Sequence, residues 1–481
     1  NGILIKDRRE IHERIAAAME AIFSSRLSGF YETLAFHYSV GQSFDKAVDY
    51  LMKSGRKSKQ RYAVEEAHRY YQQAYGLLVD QSERFAQGGK LLVEVLIEWF
   101  FVFNVRGIFT EMLALLKGHA KEVAALDDAF LKGMYFCCMG WALQRREALE
   151  ESYVYLTEAL RIAEESDDRQ VLAYACGCLV WTCTDLGRLD DAIDYGRRAE
   201  ALMAHLESDQ ELIRIILTGL GIAHWFRGAA GQCRSIGEKL LQHGEKRADI
   251  RSISDGHLVC AMGHFAAGDF SRSIADCSQA IAASQELVHS FNSKFLLAYS
   301  YLSSDRVAEA EAVLDEVVAY SSAHGYDYIG SSARALSGMV ALARGRLSRG
   351  FRIVQQQMAD FESKGKRYHL LTFHYLVGQI YSRLAMDRNV PGLRFLWRNG
   401  WFLLRHRPLA ARRAERMFDR ALAQAESIGA LGIAGQIYHD KARLYAALGK
   451  RARAREAAER CVAIFQEGEA RGHLERARSL L

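Results

Sequence analysis

The sequence predicts an all-α protein built as a superhelix of helix–turn–helix repeats. Turn-like marks recur at residues 107, 146, 187, 228, 268, 305 and 345, in steps of 39, 41, 41, 40, 37 and 40 residues. A constant period between roughly 20 and 50 residues is the signature of stacked repeats that bury their apolar faces against one another. Composition agrees, because half of the residues are hydrophobic and 2 of 481 are proline. Proteins rich in β-strands use more proline and more β-branched runs.

The clearest repeat lies between residues 170 and 206. A first helix starts at Val171 and carries small residues, Gly187 breaks it, and a second helix follows. The same order returns around Gly268 and Gly449. Small side chains on one helix facing large ones on the next let antiparallel helices interdigitate. We therefore expect about ten or eleven helix pairs, with Gly187 in a tight turn.

One stretch departs from the period. Gly345 and Gly449 are 104 residues apart, so two periods of about 40 leave a surplus, which Pro391 and Pro408 bracket. Proline is accepted at helix starts and rejected inside helices, so Pro408 is expected to open a long helix over residues 409–428. We predict three segments: a repeat array over 1–386, a basic and aromatic helical insert over 387–408, and closing repeats with a capping helix over 409–481.

The insert is the most unusual segment. Eight arginines lie between residues 388 and 416 against one acid, and four large aromatic residues lie among them: Phe395, Trp397, Trp401 and Phe402. Trp397 and Trp401 are four residues apart and share a helix face. We expect this face to pack against later helices, because burying each large side chain stabilises the fold by roughly 1.5–3 kcal/mol. The alternatives are an exposed patch that docks a partner or a membrane surface, and stacking on nucleic acid.

Charge and cysteine usage narrow the function classes. The formal net charge of +5 is too small to imply a nucleic-acid partner. The 9 cysteines are odd in number and fall within helical patterns, which indicates reduced thiols in a cytoplasmic protein. The longest apolar candidate, Leu91–Val105, is interrupted by Glu94, Glu98 and Asn104, so we expect no transmembrane segment.

No arrangement of catalytic residues stands out. His257, Cys260 and His264 share a helix face and are the best candidates for metal ligands. Ordinary packing is the alternative, because no second cluster would complete the coordination. Paired carboxylates such as Glu65 and Glu66 fall on predicted helix surfaces, where solvation explains them. We expect no catalytic residue, no metal ion and no cofactor.

Several segments resemble parts of one signalling family. They are residues 8–16 (RREIHERIA), 34–38 (LAFHY), 46–51 (KAVDYL), 62–67 (YAVEEA), 407–415 (RPLAARRAE) and 425–430 (AESIGA). Together they resemble the C-terminal tetratricopeptide (TPR) repeat tail of bacterial class III adenylate/guanylate cyclase-like proteins, which carry a STAND-type ATPase module. The resemblance implies a right-handed TPR-like superhelix. Because the TPR consensus period is 34 residues, a period near 40 indicates longer helices.

Departures from that family shape the functional hypothesis. The chain has no Gly-x-x-x-x-Gly-Lys-Ser/Thr phosphate loop, which a nucleotide-binding module needs. It also lacks a cyclase domain, and it begins at Asn1 as if just after the ATPase module. The resemblance therefore implies a non-catalytic sensor that regulates attached ATPase/cyclase modules by binding a protein, a peptide or a small-molecule effector in its superhelical groove. A free-standing adaptor or transcription-regulator fragment is the alternative.

The candidate interaction surface combines aromatic residues of first helices with the insert. First helices of TPR-like pairs line the concave face, so their aromatic residues are expected to meet a partner. The insert adds arginines that could meet anionic groups. The predicted residues are Tyr174, Trp181, His224 and Trp225 on first helices, and Arg394, Trp397, Arg398, Trp401 and Arg405 in the insert.

Overall fold

The computed structural model describes residues 5–206, 209–284, 286–386 and 393–481. Within these ranges the chain forms 25 α-helices and no β-strand. The predicted fold class is therefore confirmed. Within the same ranges, no helix combines the length and the apolar character needed to cross a bilayer.

The helices follow one another with short turns. The first nine are α1 (Ile5–Ile22), α2 (Tyr31–Gly41), α3 (Phe44–Gln60), α4 (Val64–Asp80), α5 (Gly88–Arg106), α6 (Phe109–Gly118), α7 (Ala120–Ala124), α8 (Ala129–Arg145) and α9 (Leu149–Ser166). The next nine are α10 (Arg169–Asp185), α11 (Leu189–Leu202), α12 (Gln210–Arg227), α13 (Ala230–Arg247), α14 (Ile250–Ala267), α15 (Phe270–Ala283), α16 (Leu287–Ser303), α17 (Val307–His324) and α18 (Asp327–Ala343). The last seven are α19 (Leu347–Ser363), α20 (Arg367–Met386), α21 (Leu393–His406), α22 (Ala410–Ile428), α23 (Leu431–Ala447), α24 (Arg451–Glu467) and α25 (Arg471–Arg478).

Residues in the left-handed backbone conformation form the turns between the two helices of a pair, and these turns recur with the predicted period. Asp305 (φ 59°) and Glu147 (φ 61°) occupy two of the turns. The predicted mark at Arg146 is therefore wrong by one residue, since Glu147 carries the left-handed conformation. The other five are glycines with φ between 69° and 86°: Gly107, Gly187, Gly228, Gly268 and Gly345. Because glycine enters this conformation without a steric penalty, it ends the first helix of most pairs.

Capping residues fix where the first helices begin. Asp128, Asp168, Asp209 and Asp249 each accept a hydrogen bond from a backbone N–H two or three residues later. This satisfies donors that have no partner within the helix. As a result, α8, α10, α12 and α14 start at a repeated position in their repeats, and their acidic caps recur along one rim of the superhelix.

Successive turns of the superhelix touch each other. The Tyr62 hydroxyl donates to Asp249, 187 residues later, at 2.9 Å. The Arg146 guanidinium donates to Asp327, 181 residues later, at 2.5 Å. These contacts join residues far apart in sequence, so neighbouring turns of the superhelix pack against each other.

The insert forms the predicted extra helix, α21, but its orientation corrects the prediction. Trp397 and Trp401 are 94% and 80% exposed, whereas Phe402 and Leu403 are buried. Asn399 decides which side faces inward, because it bonds the turn between α18 and α19. Its Nδ2 donates to the Gly345 carbonyl at 2.9 Å and its Oδ1 accepts from the Leu347 N–H at 3.1 Å.

The carboxyl-terminal end of the insert agrees with the prediction to within one residue. Pro408 lies in a short 3-10 helix, Arg407–Leu409, and the long helix α22 begins at Ala410. Proline is accepted in that first turn because its missing N–H would have had no partner there. Pro391, with the rest of residues 387–392, lies outside the described residues.

Candidate functional site

A groove of about 1080 Å³ opens on the inner side of the superhelix. Its walls come from the end of α3, the start of α4, from α5, and from the amino-terminal parts of α8, α10, α12 and α14. The acidic caps Asp128, Asp209 and Asp249 line it because these helices begin along the same rim. Charges of both signs line the groove, where Arg56 and Lys59 lie beside Glu98, and Arg214 pairs with Glu211 on α12.

Glu98 is held by several partners on one wall of this groove. Its carboxylate accepts from Arg56 Nε at 3.1 Å and from the Tyr71 hydroxyl at 3.2 Å, and Lys59 Nζ lies 3.6 Å away. Burial would raise the pKa of Glu98, but Lys59 and Arg56 outweigh burial and hold the pKa below its ordinary value. Glu98 is therefore ionised at neutral pH and fixes the two cations in place.

Glu94 lies one turn earlier on α5 and is half-buried. Its carboxylate accepts no hydrogen bond from any residue that the structure describes. Burial raises the pKa of Glu94, although Lys90 and Arg56 act in the opposite direction. A partly desolvated carboxylate with free acceptor positions is suited to a cation supplied by a ligand, because charge-assisted hydrogen bonds are the stronger ones.

One bridge closes an end of the groove. Tyr62 sits in the turn between α3 and α4 with a φ of 60°. Its hydroxyl donates to Asp249, and the Arg251 guanidinium carbon lies 4.9 Å from the centre of its ring. Arg251 is fixed in turn by Glu286, to which it donates at 2.6 and 2.8 Å. The groove is therefore bounded at this end by two turns of the superhelix.

A second, smaller cavity of about 120 Å³ lies between the later parts of the first helices. Its lining is rich in aromatic side chains, among them Trp181, Trp225, Phe265, Tyr328 and Tyr368. Its volume is close to that of the engineered cavity of roughly 150 Å³ that binds benzene. A single aromatic ring therefore matches the size of this cavity.

Three polar atoms in the cavity wall have no hydrogen-bond partner within the described ranges: Thr218 Oγ1, Ser332 Oγ and His369 Nδ1. Burial, with a contribution from Lys366, holds the pKa of His369 well below its ordinary value, so its ring is neutral at neutral pH. Buried polar atoms are normally hydrogen-bonded. These atoms could therefore orient a neutral molecule that carries a donor or an acceptor.

Three of the four aromatic residues predicted on first helices line one of these two sites. Trp181 and Trp225 line the aromatic cavity, and Tyr174 lines the charged groove. Tyr174 donates to Asp209 at 2.8 Å and Trp181 donates to a backbone carbonyl at 2.9 Å, and both rings are buried parts of the wall. His224 lines neither site. Burial, with Arg227 and Arg197, lowers the pKa of His224 to about 4.

The predicted insert residues lie apart from both sites. Trp397, Arg398, Trp401 and Arg405 are exposed on α21 and line neither the groove nor the cavity. The side chain of Arg394 lies outside the described part of the chain. The insert is therefore a separate surface.

The candidate metal ligands are partly engaged with other groups. His257 Nδ1 and His264 Nε2 each lie 3.6 Å from the carboxylate of Asp276, and Cys260 Sγ points toward the Arg234 carbonyl at 3.9 Å. Burial raises the pKa of Cys260 to about 12, which keeps the thiol protonated and a poor metal ligand. In the parts of the chain with defined structure, no group of three or more candidate ligands is found. All nine cysteines are free and buried.

The charged groove is not predicted by the sequence patterns described for this chain. Its clearest signal is the pair Glu94 and Glu98, which interrupts an apolar run. In the sequence, that pair indicates only that the run does not span a membrane. Carboxylates on the inner face of a buried first helix are costly unless partners or a ligand meet them, so they could have marked the site.

Comparison with known structures supports the fold alone. A Rap protein complexed with competence and sporulation factor superposes with a TM-score of 0.54 at 13% identity, over 79% of this chain and 99% of that chain. A STAND protein with a TPR sensor from Pyrococcus horikoshii gives 0.45 at 13% identity, over 74% of this chain and 53% of that chain. Apo RapI gives 0.43 at 10% identity, over 79% and 98%. No family model and no curated protein matches the chain. The first superposition agrees with an all-α solenoid of TPR-like repeats.

Proposed function

We propose that the chain is a non-catalytic binding module that captures a short peptide in the charged groove. The groove, at about 1080 Å³, lies at the upper end of the roughly 300–1000 Å³ of typical ligand pockets and has room for a short peptide. Its wall carries both signs of charge together with polar caps, which suits a peptide that has a polar backbone and charged side chains. The Rap protein that superposes on this chain was crystallised in complex with competence and sporulation factor, which supports capture of a partner by this kind of solenoid.

Glu94 is the observation that carries the proposal. Its half-buried carboxylate faces the groove with free acceptor positions, beside cations that Glu98 already holds. A lysine or arginine side chain of the peptide would supply the missing donor. The expected ligand is therefore a peptide with at least one cation, bound at the α5 wall.

Binding would be passed on to attached modules. In a signalling protein of the STAND ATPase or cyclase-like kind, a peptide can shift activity only if it binds two states of the module with different affinity. The bridge of Tyr62, Asp249 and Arg251 joins two turns at the groove end. The two states could therefore differ in whether this bridge is formed, and a bound peptide would favour the state in which it is formed. A free-standing adaptor would use the same groove without the attached module.

A screen for peptides tests this proposal. Panning a random peptide display library on the purified chain should select peptides that contain lysine or arginine. A selected peptide, followed by fluorescence anisotropy, should bind Glu94→Gln at least about tenfold more weakly, because a charge-assisted bond is lost. Glu151→Gln, an exposed carboxylate on α9, is the matched control and should bind like wild type. Equal binding by all three proteins would exclude Glu94 as the contact.

A small neutral aromatic effector is the second candidate ligand. The three unpartnered polar atoms of the aromatic cavity favour it. Indole should raise the melting temperature of the wild-type chain, and Ser332→Leu, which fills the cavity, should abolish that rise. An unchanged rise in Ser332→Leu would place indole elsewhere.

A further inference from the structure

The outer side of α21 carries an apolar patch that no described residue covers. Trp397, Trp401 and Leu404 are 94%, 80% and 73% exposed. Their spacing of four and three residues puts them on one helix face. Single exposed apolar side chains are ordinary, whereas two tryptophans and a leucine side by side form a patch of the kind that meets a partner or a membrane.

The opposite side of α21 fixes this orientation. Phe402 is buried and lies 5.6 Å from Phe351 between ring centres, and His406 stacks on Phe402 at 4.2 Å. The Tyr381 hydroxyl lies 3.0 Å from His406 Nδ1, and Asn399 bonds the α18–α19 turn. Turning the tryptophans inward would break these contacts, so the patch is held toward solvent.

Cations flank the patch. Arg398 and Arg405 are exposed on α21, and Arg412 is exposed at the start of α22. No acidic residue occurs in the sequence from 393 to 414. The first one after it, Glu415, already accepts from Tyr445 and Arg453, at 2.9 and 3.0 Å. The surface around the tryptophans is therefore basic, and its complement is anionic.

We propose that α21 docks the protein on an anionic lipid surface. Trp397, Trp401 and Leu404 would enter the headgroup layer, where tryptophan is favoured, while Arg398 and Arg405 meet lipid phosphates. A second copy of the chain fits less well, because two basic patches would repel each other. Nucleic acid fits less well because Leu404 offers no ring on which a base can stack.

Vesicle binding by the full chain tests the proposal. The chain should sediment with vesicles of equimolar phosphatidylglycerol and phosphatidylcholine, and much less with phosphatidylcholine alone. Trp397→Ser with Trp401→Ser should weaken the partition coefficient at least about tenfold, because it removes the inserting side chains. Arg398→Gln with Arg405→Gln should weaken it roughly tenfold or more on anionic vesicles.

Matched controls distinguish binding through this surface from nonspecific binding to vesicles. Val154→Ser removes another exposed apolar side chain, and Arg197→Gln with Arg455→Gln removes two exposed charges elsewhere. These variants should bind vesicles like wild type. Circular dichroism melts should match for all variants, since every altered side chain is exposed. Wild-type failure to bind anionic vesicles, or full binding by the double tryptophan variant, would overturn the proposal. Self-association without lipid that the tryptophan variant abolishes would overturn it in favour of a second copy.

Discussion

Removing the carboxylate of Glu147 tests how the turns of the superhelix are joined. Glu147 occupies the left-handed turn between α8 and α9 and is buried. Its Oε1 accepts from Lys366 Nζ and from the Ser331 hydroxyl, both at 2.6 Å, and its Oε2 accepts from Lys364 Nζ at 2.7 Å. Lys366 is 219 residues later in the chain and is also buried. Glu147 is therefore an ionic link between two turns of the superhelix.

The expected loss follows from burial. Glu147→Ala leaves the Lys366 ammonium buried without its carboxylate, which should lower the free energy of unfolding by about 3–5 kcal/mol. Glu147→Gly should cost about 1 kcal/mol less than Glu147→Ala, because glycine adopts the left-handed turn without strain. Combining Glu147→Ala with Lys366→Met should recover much of the loss, since replacing a buried ion pair by apolar groups is often nearly neutral.

The pH dependence has a definite sign. Burial would raise the pKa of Glu147, but Lys366 and the hydrogen bonds from Lys364, Lys366 and Ser331 outweigh burial and lower the pKa. An acid with a lowered pKa stabilises the folded state above its ordinary pKa of 4.5 and loses that contribution as the pH falls through the folded-state pKa. The difference between wild type and Glu147→Ala should therefore shrink in acid.

Urea unfolding followed by circular dichroism, at neutral pH and in acid, measures these differences. Gln144→Ala would disturb the same helix end and is unsuitable as a control, because Gln144 bonds Asp185. Glu151→Ala, an exposed carboxylate on α9, should change stability by less than about 0.5 kcal/mol. If Glu147→Ala costs less than about 1 kcal/mol at neutral pH, the ionic link between the turns is refuted.

Two further predictions concern neighbouring features of the interior. Gly228→Ala should destabilise the fold more than Gly449→Ala, because a Cβ at Gly228 would lie 2.4 Å from the Gly432 backbone. Gly449 has a similar positive φ but open space around it, so it is the matched control. Thermal melts compare the two variants, and equal decreases in melting temperature would refute the contact between turns. Burial, opposed by Lys366, raises the pKa of Asp185 from 3.8 to about 6. The folded state therefore binds this proton more tightly than the unfolded state does, and the free energy of unfolding decreases as the pH rises between these two values. Asp185→Asn removes the titrating group, so the decrease across this range should be smaller by about 3 kcal/mol in the variant. Urea midpoints of Asp185→Asn that change with pH as steeply as those of wild type would contradict this prediction.

The local features of the fold were accessible from the sequence. A left-handed turn needs a glycine or a tolerated polar residue, so the repeated glycines predicted the period. The mark at Arg146 failed by one residue because Glu147 accepts the left-handed conformation and uses its side chain as a link to Lys366. That contact is invisible to a periodicity of about 40 residues.

Orientation and long-range packing were not accessible in the same way. Helical spacing places Trp397 and Trp401 on one face, but contacts of Asn399 with a turn about 50 residues earlier decide that this face points outward. Similarly, Trp181 becomes part of a buried wall because Tyr328, from a later turn of the superhelix, packs at 6.2 Å between ring centres. The period defines the repeats, and the winding of the superhelix depends on contacts between turns.

The most direct test of peptide capture is hydrogen exchange of the chain with and without a display-selected peptide. If the charged groove is the binding site, added protection should appear in α5 and in the amino-terminal turns of α8, α12 and α14, which carry its walls. The second helices α9 and α11, which contribute no residue to the groove lining, should exchange as before. Protection confined to those second helices, with α5 unchanged, would contradict capture in the groove.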